Sequence, residues 1–124
     1  MSKIGAATNE GINVTVLPRD DIILTFKEVS RKGFTTVSKY ETGPKPPAPH
    51  KIRQYYKIKT TAEHSPPIEI RIYLPSVPKA SRLKLWRWYQ ATKRWEDITK
   101  RFSRKYHLLV GETPDRLESM FGVT

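Results

Sequence analysis

The sequence contains no cysteine. That removes disulfides, thiolate metal sites and a cysteine nucleophile together, and leaves the redox compartment open, because a cysteine-free chain works on either side of a membrane. Long apolar runs are missing as well: nowhere do about 20 apolar residues follow one another, the length a membrane helix needs. The opening Met1-Ser2-Lys3-Ile4-Gly5-Ala6-Ala7 has a lysine but no apolar stretch after it, so it is not a signal peptide as written and the chain is expected to be cytoplasmic as expressed. There is no Gly-x-Ser-x-Gly elbow and no glycine-rich phosphate loop. His50, His64 and His107 lie in separate segments with no metal-ligand spacing, so neither a zinc site nor a catalytic histidine cluster is expected. His64-Ser65 runs straight into Pro66-Pro67, an unpromising setting for a nucleophile. Asp20-Asp21, Glu96-Asp97 and Glu112 could offer oxygens to calcium, but no Asp-x-Asp-x-Asp-Gly loop frames them. Asp97 is better explained as capping a turn through bonds to backbone amides. No catalytic residue, metal or cofactor is read, and the chain is expected not to be an enzyme.

Helical periodicity is absent too, apart from one turn that residues 114–119 could form. What is present is alternation. Ile12, Val14 and Val16 alternate with polar residues, then Ile22, Leu24 and Phe26 do the same, the period expected of half-buried strands. Residues 34–40 are rich in β-branched Thr and Val. Ile68, Ile70, Ile72 and Leu74 face away from Glu69, Arg71 and Tyr73. Residues 82–89 carry aromatics, turn through 90–94, and pair back through 95–99 as a hairpin. Residues 106–110 and 120–123 complete the series. Pro44, Pro46, Pro47 and Pro49 cannot donate to a sheet ladder, so 42–49 reads as an extended crossover; residues 60–67 and 75–81 read as loops. In a chain of 124 residues, about one domain's worth, these signals predict a 1–10 tail and an 11–124 domain. The domain is all-β: a two-sheet antiparallel β-sandwich of about eight or nine short strands. Leu24, Phe26, Ile58, Ile70, Ile72 and Leu85 are expected in its core.

The series Ile58-Lys59-Thr60-Thr61-Ala62, Ile68-Glu69-Ile70-Arg71-Ile72-Tyr73, Leu83-Lys84-Leu85-Trp86-Arg87-Trp88 and Trp95-Glu96-Asp97-Ile98-Thr99 resembles an immunoglobulin-like β-sandwich module found in bacterial and archaeal surface and secreted proteins. Phe26-Lys27-Glu28-Val29, Gly33-Phe34-Thr35-Thr36-Val37 and Ser119-Met120-Phe121 resemble its opening and closing segments. The resemblance implies a non-enzymatic sandwich, usually appended to other domains, with no cofactor and no shared active site.

Acidic residues are few: Lys and Arg total 23 against 12 Asp and Glu, for a net charge of +11. Such a balance favours polyanionic partners or an acidic protein surface. In residues 51–59, alternation places Lys51, Arg53, Tyr55, Lys57 and Lys59 on one face and Ile52, Gln54, Tyr56 and Ile58 on the other. Cations ~6.6–7 Å apart along a strand approximate the phosphate spacing of an extended single strand, and Tyr55 could stack a base. Glu69 on a neighbouring strand is expected to offset some of this charge. Lys93, Arg94, Lys100, Arg101, Arg104 and Lys105 form a second basic cluster, expected in loops. Trp86, Trp88 and Trp95 are expected to pack a core or hairpin rather than form a ligand platform. The expected function is a non-catalytic interaction or structural module, a subunit or accessory of a larger assembly with a protein partner. The alternative is a basic, RNA-binding protein.

Overall fold

Ile68, Ile70 and Ile72 are fully buried while Glu69 and Arg71 on the opposite side stay partly exposed. The alternation in the sequence is thus an alternation between core and solvent. Eleven strands form in a computed structural model that describes residues 3–40, 54–74, 83–89, 91–103, 105–114 and 119–123. They are β1 (Lys3–Thr8), β2 (Gly11–Arg19), β3 (Ile22–Arg31), β4 (Gly33–Tyr40), β5 (Gln54–Thr60), β6 (Glu63–Tyr73), β7 (Leu85–Tyr89), β8 (Arg94–Asp97), β9 (Thr99–Ser103), β10 (Leu108–Thr113) and β11 (Ser119–Val123). No helix occurs among the described residues. The crossover at 42–49, the loop at 75–81, His50, Lys51, Arg53, Arg104 and most of the expected turn at 114–119 lie outside them.

All pairings are antiparallel, in two sheets. The six-stranded sheet has the order β1-β4-β5-β11-β7-β8, and the five-stranded sheet β2-β3-β6-β10-β9. Val16, Ile22, Leu24, Phe26, Ile68, Ile70, Ile72 and Leu109 from the second sheet join Val37, Tyr56, Ile58, Leu85, Phe121 and Val123 from the first in one core cluster. The architecture is therefore sandwich-like, and all six expected core residues are fully buried.

Eleven strands replace the expected eight or nine for two reasons. Lys3–Thr8, placed in the tail by sequence, pairs along β4 from Lys3↔Ser38 to Thr8↔Gly33. The hairpin return does not end at Thr99 either: the chain leaves one sheet after Asp97 and enters the other at Thr99. Ile98 makes that switch with both backbone groups satisfied. Its N–H donates to Leu85 O at 2.9 Å and its carbonyl accepts from Glu112 N at 3.0 Å, which ties the two sheets together along this side.

Several polar groups inside are paired. Thr8 and Thr35, both buried, share a hydroxyl bond of 2.6 Å, and Thr35 donates on to Thr60 at 2.9 Å. The Arg87 guanidinium, only 6 % exposed, bonds Thr113 of the opposite sheet and lies 4.9 Å from the Tyr89 ring and 5.8 Å from the Phe121 ring. Tyr56 donates its hydroxyl to Gln54. Burial first, then the Asp21 carboxylate, push the Tyr56 phenol well above its ordinary 10.0, outweighing the opposing pull of Arg19. A folded pKa above the unfolded one favours the native state at all pH below the unfolded value, and that contribution is lost as pH rises from there. Wild type should therefore lose stability above pH 10.0 more steeply than Tyr56→Phe. Denaturant midpoints of both proteins across the alkaline range check this; parallel curves would refute it.

Candidate functional site

Strand β5 alternates as the sequence implies. Tyr56 and Ile58 are fully buried in the core, and Tyr55, Lys57 and Lys59 take the other side. Its neighbours are β4 and β11, not β6. Lys59 therefore opposes Thr36, and Lys57 opposes Ser38 and Met120. The expected offset by Glu69 does not occur, because Glu69 belongs to the other sheet and holds Arg71 at 2.6 Å. Among the described residues no salt bridge reaches Lys57 or Lys59.

The tryptophans occupy the same outer face. Trp88 opposes Trp95 and Trp86 opposes Asp97, so all three point away from Leu85 and the core. They form a second apolar cluster, with Tyr55 and Met120 packed against it. The Trp88 and Trp95 rings are 5.4 Å apart, and Tyr55 reaches Trp95 at 5.9 Å. At 6 %, 9 % and 8 % exposure, Trp86, Trp88 and Trp95 are packing residues, as expected. Their place outside the main core was not readable from the sequence. Lys84 lies 6.0 Å over the Trp86 ring and 3.5 Å from Asp97. Burial raises the Asp97 carboxyl, but its bonds from Thr99 and the nearby Lys84 outweigh this and hold it below its ordinary 3.8. Asp97 accepts from the Thr99 amide at 2.9 Å, the turn-capping role read from the sequence.

Phe34 on β4 also projects from this face, 49 % exposed. Its ring leans across Gly5 of β1, so that a methyl group on that glycine would collide with it. Ala7, opposite Phe34, is exposed and small. By sequence alone Phe34 stands at the start of a strand without an assigned face. The signal was there: counting back by twos and ones from the buried Val37 puts Thr35 inside and Phe34 outside.

The second basic cluster is divided between the two sheets. Lys93 and Lys105 lie in turns, as expected, but Arg94 is in β8 and Lys100 and Arg101 are in β9. The basic run continues through the sheet switch at Ile98, and so it divides between edge strands of two sheets. Lys100 pairs with Glu112 at 3.3 Å, and Lys105 sits 5.3 Å from the Tyr106 ring.

The remaining candidates stay apart. Tyr89, Glu96, Asp97, Ile98, Glu112 and Pro114 border an open cleft of ≈ 620 Å³. Two of its carboxylates are already bound, to Lys84 with Thr99 and to Lys100. No group of metal-ligating side chains occurs among the described residues. His64 packs edge-on against Phe26 with ring centres 5.2 Å apart, and His107 sits in the turn before β10 with its carbonyl accepting from Leu74. No helix among the described residues is long and apolar enough to cross a membrane. Compared with protein-family models, curated proteins and solved structures, the chain gives no match.

Proposed function

We propose that this chain is a non-catalytic interaction or structural module of immunoglobulin-like type, a subunit or accessory of a larger assembly, and that it meets its partner through the outer face of the six-stranded sheet. One observation carries the reading. That face has its own aromatic cluster, separate from the core, with Tyr55 and Met120 packed against it and Lys57 opposite Met120. A sheet needs one apolar face to fold; a second aromatic cluster on the opposite face goes beyond that need. The immunoglobulin-like assignment rests on the motif resemblance, whose Thr-Thr-Ala and Trp-x-Asp-Ile-Thr segments lie at strand ends here.

The test is affinity capture from cell extract with wild type and with the double variant Tyr55→Ala, Lys57→Glu, both verified by circular dichroism. A partner held by wild type and released by the variant supports the reading. A partner held equally by both removes the face from it, and capture of none by wild type counts against a module altogether. A second reading, a basic nucleic-acid-associated protein, is favoured by the absence, among the described residues, of acidic cross-strand partners for Lys57 and Lys59.

A further inference from the structure

The half of the outer face nearest β1 differs from the tryptophan half. It is built of Gly5, Ala7, Thr36 and Ser38, none of them tall, and above this low ground rise Phe34, Lys57 and Lys59. Phe34 stands two residues along β4 from Thr36, which opposes Lys59, so the two positions are diagonal neighbours, ~7–8 Å apart at the backbone, with the ring itself leaning over Gly5 on the β1 side. Lys57 follows ~7 Å further along β5. Carboxylates are absent from the outward positions of β4 and β5; Asp97, on β8 at the far edge, is already engaged by Lys84.

We infer that this shelf binds a single-stranded nucleic acid, with a base stacked on Phe34 and the neighbouring phosphates on Lys57 and Lys59. The inference rests on the nucleic-acid reading above and gives it a site and a strandedness. Lysines alone would serve any polyanion. An exposed ring beside them adds a flat π surface on which an unpaired base can stack. A duplex keeps its bases stacked internally, and a ring held down on a sheet over Gly5 has no reach into a groove. An acidic protein surface would satisfy the lysines without needing the ring. The buried tryptophans take no part in stacking; they stiffen the sheet on which the shelf rests.

The experiment measures binding of a short uridine oligonucleotide by fluorescence anisotropy at ~50 mM salt, where electrostatic binding is favoured. Heparin, a polyanion without bases, poly-glutamate and an RNA duplex serve as comparisons. Phe34→Ala should weaken oligonucleotide binding roughly 5- to 150-fold, the range of base–aromatic stacking, and leave heparin binding and the salt slope unchanged. Phe34→Tyr should restore it. Lys57→Gln with Lys59→Gln should weaken both ligands and flatten the log–log salt slope by about 0.7 per lost contact. If heparin binds as the oligonucleotide does and Phe34→Ala alters neither, stacking is overturned while a polyanion site remains. Preference for poly-glutamate or duplex overturns the single-strand assignment. No binding to any of these by wild type overturns the nucleic-acid reading itself. Circular dichroism of each variant separates loss of binding from loss of fold.

Discussion

Replacing Ile70 with alanine should destabilise the protein by roughly 2–5 kcal/mol, the cost of emptying a closed core site. Ile70 is fully buried and lies between Leu24 of β3 and Gly111 of β10. Across the sandwich, Leu85 of the other sheet already presses against Gly111, where an added methyl would sit 2.6 Å from Leu85 Cδ2. Backbone in two central pairings holds the site open, so the cavity has little room to collapse. Urea denaturation of wild type and Ile70→Ala measures the difference. A loss below about 1 kcal/mol would show that the site refills, contrary to the packing described.

Gly33→Ala should also be costly, through overpacking. A Cβ at Gly33 would fall 2.6 Å from Ala62 Cα and 2.6 Å from the Thr61 carbonyl carbon. Those atoms are backbone of the two-residue link between β5 and β6, the point where the chain passes from one sheet to the other. A side chain can rotate away from an intruder; this link is pinned. Thr61 N donates to Phe34 O at 3.0 Å, Phe34 N donates to Thr61 Oγ1 at 2.8 Å, and Ala62 N donates to Thr60 Oγ1 at 3.1 Å. The expected loss lies at or above the top of the ~1–3 kcal/mol usual for overpacking. The same denaturation experiment reads it, and a change under about 1 kcal/mol would mean that the link yields.

Faces were legible in the sequence wherever strands alternate between aliphatic and polar residues. Leu24, Phe26, Ile58, Ile70 and Ile72 could be placed inside, and Tyr55, Lys57 and Lys59 outside, from a period of two alone. Strand β1 was not legible, because Gly5, Ala6, Ala7 and Thr8 give no apolar alternation even though Thr8 is buried. The first half of β6 was hidden by Pro66 and Pro67. Prolines argue against a central strand, but here both lie where the β3 register shifts between Phe26 and Glu28, and before pairing with β10 begins at Ile68. No ladder bond is demanded of them. The single-residue switch at Ile98 leaves no trace in a run that reads as one strand. The site was half legible for a related reason. Alternation gives the side a residue faces, whereas sheet order decides its company. Nothing local says that Trp86, Trp88 and Trp95 share a face with Lys57, or that Glu69 belongs to the other sheet.

Sheet order also sets a sequence of events in time. Strand β11 lies between β5 and β7, yet it follows every other described strand along the chain. During synthesis, at about 5–20 residues per second, β4 can pair with β5, and later β7 with β8, as soon as each hairpin leaves the ribosome. Neither pair can join the other until residues 119–123 are available, and until then β5 and β7 each present an unpaired edge, the kind of surface that recruits other chains. Long-range strand insertion of this kind is slow relative to hairpin closure. The nascent protein must therefore pass through a stage with half of its larger sheet built on either side of a gap, which makes the interval before β11 enters its period of greatest exposure to aggregation.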